Sequence, residues 1–101
     1  MANTFKNYKG TATTGGATIY TVPASTTAVL IGMNLANKAA NQITAGAQIS
    51  STYIVKDVPI PAGSALGIID GKIIAETGET ITVTASENSA VDVIISVLEI
   101  T

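Results

Sequence analysis

The run Thr80-Ile81-Thr82-Val83-Thr84-Ala85-Ser86 is the clearest structural signal in this chain of 101 residues. Its side chains alternate, because Ile81, Val83 and Ala85 fall on one side and the hydroxyl-bearing residues between them fall on the other. A repeat of two matches the two faces of a β-strand, and the branched Cβ atoms of Ile, Val and Thr suit a pleated strand. The run therefore predicts a half-buried strand with one face in a hydrophobic core.

Two earlier segments repeat this alternation. Residues 27–36 place Val29, Ile31, Met33 and Leu35 on one face, and residues 43–49 place Ile43, Ala45, Ala47 and Ile49 inward. We find no stretch with the periodicity of a helix. The chain is therefore predicted to be all-β.

The last predicted strand differs from the others because both of its faces are apolar. Val91, Val93, Ile95 and Val97 form one face, and Ile94, Leu98 and Ile100 make the other face largely apolar as well. A strand in a sandwich meets the core on one face only, so the second face needs another cover. Two interpretations stand equally: contact with a neighbouring subunit or with the N-terminal segment, and a loop of the same chain folded over the strand.

Turn signals separate the strands at short intervals. Asp70-Gly71 suits a type I′ turn and predicts a hairpin between residues 66–69 and 72–75. The two prolines of residues 59–64 lack the N–H groups of a sheet ladder, so we expect this segment to carry the chain from one sheet to the other. The spacing predicts a single β-sandwich, jelly-roll-like, of about seven or eight antiparallel strands.

The first sixteen residues are predicted to be an extended N-terminal arm with a flexible hinge, and residues 17–101 the sandwich domain. The tract Gly10-Thr11-Ala12-Thr13-Thr14-Gly15-Gly16 has the composition of a flexible linker. Phe5 and Tyr8 lie before it and would act as aromatic anchors. The arm can pack on its own domain, which short connections favour, or add a strand to a neighbour.

The composition indicates a protein whose surface is partly covered by a partner. Hydrophobic residues make up 47% of the chain and charged residues only 12%, about half the usual charged fraction. A net charge of −2, with five scattered lysines and no arginine, argues against nucleic acid. We expect no membrane contact, because the apolar runs are only strand-sized and the N-terminus lacks the apolar core of a secretory signal.

The chain has few residues that are suited to catalysis or metal binding. The chain has no His and no Cys, so a serine or threonine lacks its usual activating base and no thiolate metal site can form. The seven carboxylates have no spacing typical of a catalytic pair or a calcium loop, and we interpret them as solvated charges on turns and strand faces. The prediction is a protein that is not an enzyme and has no cofactor and no metal.

The chain resembles small virion structural proteins of tailed bacteriophages, especially those of marine bacteria and cyanobacteria. The resemblance rests on Thr18-Ile19-Tyr20-Thr21-Val22-Pro23-Ala24 and on residues 1–7, 28–37, 53–64, 71–79, 81–86 and 92–100. These motifs mark strands and turns, and they are not active-site signatures. The resemblance implies a β-sandwich on the particle, either as head decoration or cement, or as a tail, baseplate or fibre component. It implies no catalytic residue.

The favoured hypothesis is a capsid decoration or cement protein that packs between capsomers, with the major capsid protein as its partner. It would be made in the host cytoplasm, reside in the virion, and form a homo-oligomer, with a trimer favoured. A tail-associated role is the first alternative. A module that binds host glycans through Tyr20 or Tyr53 is the second. The candidate interface residues are Phe5, Tyr8, Ile94, Leu98 and Ile100.

Overall fold

The computed structural model describes residues 3–68 and 72–101, and every regular element in these ranges is a β-strand. The prediction of an all-β fold is confirmed. The nine strands are β1 (Asn3–Thr11), β2 (Ala17–Thr21), β3 (Thr27–Asn37), β4 (Ile43–Ile49), β5 (Thr52–Ile60), β6 (Ala65–Gly67), β7 (Ile73–Ala75), β8 (Thr80–Ala85) and β9 (Val91–Ile100).

The strands form two antiparallel sheets that pack as a sandwich. The five-stranded sheet has the order β1-β9-β3-β6, with β7 also paired to β3, and the four-stranded sheet has the order β2-β8-β4-β5. The pairing is nested: the first strand pairs with the last, the second with the eighth, and the fourth with the fifth. Distant parts of the chain are therefore neighbours, and the first and last strands lie in one sheet.

The hydrophobic core lies between the two sheets and follows the alternation of the strands. Ile81, Val83 and Ala85 of β8 are buried while the threonines between them are half-buried, as the sequence predicts. In β4, Ile43, Ala45 and Ala47 are buried. The largest fully buried side chains are Leu30, Leu35, Ile60, Ile81, Ile95, Val83, Val91 and Val97.

Strand β3 departs from the predicted alternation because it contains a β-bulge. The register of β3 against β9 shifts between Leu30 and Gly32. Before the bulge Leu30 points inward, and after it Met33 and Leu35 do so. An extra residue in one strand reverses the side to which the following side chains point. The prediction of a single face from Val29 to Leu35 is therefore wrong for its first half, and Ile31 is exposed.

The N-terminal segment forms an edge strand where an extended arm was predicted. All nine residues of β1 pair with β9, from Asn3 opposite Ile100 to Thr11 opposite Asp92. Within the predicted hinge, Ala12 is buried and its N–H donates to the carbonyl of Val91 at 2.9 Å. The backbone ladder satisfies the polar groups along one side of β9, which explains why the segment packs on its own domain.

The two predicted connections have different outcomes. Residues 61–64 carry the chain from β5 in one sheet to β6 in the other, as expected, but Pro59 lies within β5, opposite Thr44. The turn at Asp70-Gly71 lies outside the described residues. On either side of it, β6 and β7 both run antiparallel to β3, on residues 34–36 and 28–30. Since both oppose the same strand, they point in one direction and do not form the two arms of a hairpin.

Candidate functional site

An apolar row crosses the outer face of the five-stranded sheet. Phe5 of β1 lies opposite Leu98 of β9, and Leu98 lies opposite Val29 of β3. Val29 in turn lies opposite Ile74 of β7. Residues directly opposite each other in antiparallel strands project to the same face. Four apolar side chains therefore stand in one line across four strands, pointing away from the core.

The row is exposed and lies in a wider apolar surface. Phe5 is 73% exposed and Ile74 is 54% exposed, whereas Leu98 and Val29 are half-buried. Ile31 and Ile94, at 40% and 41%, lie on the same outer face, together with half-buried Ile100. We call these seven residues the apolar face. An apolar surface of this extent on a small domain is typical of an interaction site.

Charged side chains lie at one end of this outer face. Lys9 is opposite Ile94, and Asp92 is opposite Thr11, so both charges are near the C-terminal end of β1. The Lys38 ammonium contacts the Asp92 carboxylate at 2.9 Å. This hydrogen bond from Lys38 is the main cause of the lowered pKa of Asp92. The row of Phe5, Leu98, Val29 and Ile74 itself contains no charged side chain, so a partner could cover the row without burying a charge that belongs to it.

The bulge in β3 also shapes a hollow beside the row. A cavity of about 290 Å³ is lined by Phe5, Lys6, Asn7, Ile31, Ser96 and Val97. The small side chain of Ser96 lies opposite Gly32, next to the residue that the bulge turns outward. The apolar face is therefore not flat, and a protruding side chain of a partner would fit into it.

Four of the five predicted interface residues lie on the apolar face. Phe5, Ile94, Leu98 and Ile100 share it, but Tyr8 lies opposite Ile95 and points toward the core. Their role in an interface stays a prediction. The sequence interpretation missed Val29, Ile31 and Ile74. For Ile31 the alternation indicated the opposite side, and only Gly32, a residue common at bulges, could have signalled the shift.

One carboxylate is buried, and it joins three strands. Glu99 of β9 is only 4% exposed. Its Oε2 accepts hydrogen bonds from the Tyr20 hydroxyl at 2.6 Å and the Tyr8 hydroxyl at 2.7 Å. Its Oε1 contacts the Lys6 ammonium at 3.4 Å. The rings of Tyr8 and Tyr20 stack with centroids 4.3 Å apart. The interpretation of all seven carboxylates as solvated charges is therefore wrong for Glu99.

The electrostatics of this Glu99 cluster favour the charged carboxylate and neutral tyrosines. The hydrogen bond from Tyr20 is the largest cause of the lowered pKa of Glu99, with further contributions from Tyr8 and Lys6. Burial, followed by the bond to Glu99, raises the pKa of Tyr8 to about 12. The same causes raise the pKa of Tyr20 further. The cluster is a buried, satisfied network that connects β1 and β9 to β2 across the sandwich.

The described part of the chain offers no arrangement typical of a reaction centre. Glu99 is the only charged residue among its buried side chains, and its two oxygens are already occupied. In residues 3–68 and 72–101, no group of three His, Cys, Asp or Glu side chains could hold a metal ion. No helix in these ranges is long and apolar enough to cross a bilayer.

The fold places the chain among two-sheet antiparallel β-sandwiches. No protein-family model matches the sequence, and no curated protein matches it either. A chain of the acidic stable capsid structure of Helicobacter pylori bacteriophage KHP30 superposes with a TM-score of 0.60. The match covers 98% of this chain and 87% of that one, at 8% sequence identity. At this identity the similarity establishes the shared fold.

Proposed function

We propose that this protein is a non-enzymatic structural component of a phage virion, and specifically a decoration or cement protein of the capsid. The apolar face is the observation that carries the proposal. Exposure of Phe5 and Ile74 to water is unfavourable in a free domain. A partner that covers the two side chains removes this apolar surface from water. The major capsid protein is the proposed partner, and the protein would reside in the virion after synthesis in the host cytoplasm.

The size of the face suits a contact repeated many times on a particle. The outer face consists mainly of β1, β9 and β3, which have nine to eleven residues each, and β7 adds three residues. Three strands about 4.8 Å apart, at about 3.3 Å per residue, span roughly 14 by 30 Å, or about 430 Å² in projection. Stable interfaces bury about 800 Å² of accessible surface per partner, so one such face is smaller than a standard interface. Apolar area contributes about 25 cal/mol per Å² before the costs of association. Each contact would be modest, and many copies would act together.

The strand order supports the same proposal. Nested pairing of the first strand with the last and the second with the eighth is similar to that of a jelly roll, a fold that recurs in viral capsid and lectin domains. The neighbour from the bacteriophage KHP30 capsid structure has the same fold. The more specific resemblance to phages of marine bacteria and cyanobacteria, and the preference for a trimer, stay predictions.

Locating the protein in purified particles tests this proposal. We expect mass spectrometry to find it in head fractions at hundreds of copies, and a particle map to show the five-stranded sheet against the capsid surface. Its presence only in purified tails, at a few dozen copies or fewer, would favour the tail-associated alternative and overturn the capsid role. The mass of the free protein in solution tests the trimer.

A double substitution on the apolar face tests which surface makes the contact. With Phe5→Ser and Ile74→Ser, we expect binding to capsids stripped of the protein to fall tenfold or more, because two exposed anchors are lost. The free domain should keep its melting temperature to within a few degrees, since neither side chain is in the core. Tyr53→Ser, an exposed aromatic on the other sheet, is the matched control. Unchanged binding of the double variant would exclude the apolar face as the contact.

A further inference from the structure

The outer face of the four-stranded sheet is polar, in contrast to the apolar face on the five-stranded sheet. Thr18 lies opposite Thr82, Thr82 lies opposite Gln48, and Thr84 lies opposite Gly46. All four of the polar side chains point away from the core, so this face is rich in hydroxyl groups. If the apolar face is turned toward the particle, the hydroxyl-rich face is turned toward solvent.

A hollow of about 330 Å³ opens on this hydroxyl-rich face. Its polar lining comes from three strands and two connecting segments: Thr14, Thr44, Tyr53, Asp57, Thr84 and Ser86. Tyr53 is 48% exposed, so its ring is accessible to a ligand. One exposed ring, one carboxylate and several hydroxyls therefore converge on one cavity.

The backbone of β5 is distorted where it supplies the carboxylate. The register against β4 shifts between Ala45 and Ala47, where two residues of β5, Lys56 and Asp57, lie opposite one residue of β4, Gly46. Asp57 has a φ of 52°, in the left-handed region that non-glycine residues seldom adopt. Bulges are frequent next to functional sites, where they re-aim side chains. Within the described residues, the Asp57 side chain has no hydrogen bond or ion pair.

The floor of the hollow depends on a glycine. A Cβ atom at Gly46 would lie 3.2 Å from the Thr84 hydroxyl and 3.2 Å from the carbonyl oxygen of Val55. Such contacts are tight, so a larger residue would displace its neighbours and fill the cavity. Glycine is the residue that permits close approach at this position.

We propose that this hollow binds a neutral sugar. A pyranose ring has an apolar C–H face, which packs on an aromatic ring, and a rim of hydroxyls, which donate to a carboxylate and exchange hydrogen bonds with Thr and Ser side chains. Hydrogen bonds to an ionised carboxylate are stronger than hydrogen bonds between neutral groups. Asp57 would therefore set the orientation of the sugar. The same negative charge disfavours anionic sugars in the hollow.

Lys56 adjoins the hollow without lining it. Its ammonium lies 5.3 Å from the centroid of the Tyr53 ring, within the range of a cation–π contact. The ammonium lies over one face of the ring, so a sugar in the hollow would pack on the other face. The cationic group is thus engaged with the ring, and Asp57 is the charged group of the lining.

The test is binding of the full chain to an array of neutral oligosaccharides built from glucose, galactose, mannose and N-acetylglucosamine. Hits would be titrated by NMR, and we expect the amide signals of Gly46, Tyr53 and Thr84 to shift. Asp57→Asn should weaken binding tenfold or more, and asparagine tolerates the left-handed backbone conformation. Tyr53→Ala should weaken it similarly, whereas Tyr53→Phe should retain it because the ring remains.

The matched control is the Phe5→Ser and Ile74→Ser double variant, which should bind the sugar like the wild type. Absence of binding on the array and of shifts in titrations with the methyl glycosides of the four sugars would overturn this inference. So would binding that Asp57→Asn and Tyr53→Ala leave unchanged. Because the hollow and the apolar face lie on opposite sheets, loss of capsid attachment with intact sugar binding would separate a failure of one proposal from a failure of the other.

Discussion

Replacing Glu99 with alanine is expected to lower the free energy of unfolding by about 3 kcal/mol. The substitution leaves the hydroxyls of Tyr8 and Tyr20 without the acceptor that both now share. An unsatisfied buried polar group costs about 1–3 kcal/mol, and removal of one partner from a buried charged network costs about 3–5 kcal/mol. The larger part should come from Tyr20, which is 3% exposed.

Chemical denaturation measures this effect, and two variants control for it. Glu76→Ala removes an exposed carboxylate of the same chain and should change stability by less than about 0.5 kcal/mol. Glu99→Gln keeps one acceptor oxygen and should fall between the wild type and Glu99→Ala. Equal stability of Glu99→Ala and the wild type would mean that the tyrosines find other partners and that the cluster does not hold the sandwich together.

The same cluster should make stability depend on pH at both ends of the scale. The pKa of Glu99 is lowered from 4.5, so its contribution is complete above about pH 4.5 and is lost as the pH falls through the folded-state pKa. The pKa of Tyr8 is raised from 10.0 to about 12, so its contribution is present below pH 10 and is lost toward pH 12. Melting curves across pH should show both losses, and Glu99→Gln should reduce the acid one.

Leu30→Ala is the second substitution with a large expected effect, again about 3 kcal/mol. Leu30 is fully buried in β3, the strand that pairs with β9, β6 and β7. Truncation of a buried leucine removes its transfer free energy and leaves a cavity, with typical losses of 2–5 kcal/mol. In a domain of this size the melting temperature should fall by on the order of 10 to 20 °C.

The adjacent residue is the matched control, because it tests the bulge as well. Ile31 is 40% exposed, so Ile31→Ala should lower the free energy of unfolding by less than about 1 kcal/mol. If β3 had no bulge and alternated through Met33 and Leu35, Ile31 would point inward and Leu30 outward. Ile31→Ala would then be the more destabilising of the two variants. Thermal unfolding of both proteins under one condition settles the order. A larger loss for Ile31→Ala would contradict the register described for β3.

Local patterns in the sequence determined the all-β fold and much of the apolar face. The alternation of β8 and the doubly apolar β9 follow from the period of a strand, which depends only on neighbouring residues. This is why Ile94, Leu98 and Ile100 could be placed together on the second face of one strand. The corner at residues 61–64 was likewise predictable, because a missing N–H group is a property of the residue itself.

Tertiary structure alone decided the partners of those strands. That Phe5 aligns with Leu98, Val29 and Ile74 depends on pairing between strands that are far apart in sequence, and no local pattern specifies it. The bulge at Ile31, the burial of Glu99 between two tyrosines, and the hollow that Tyr53 and Asp57 share with Thr84 also depend on such pairing. The residues of a strand determine which side chains share a face. The register against the neighbouring strands determines which residues each face contacts.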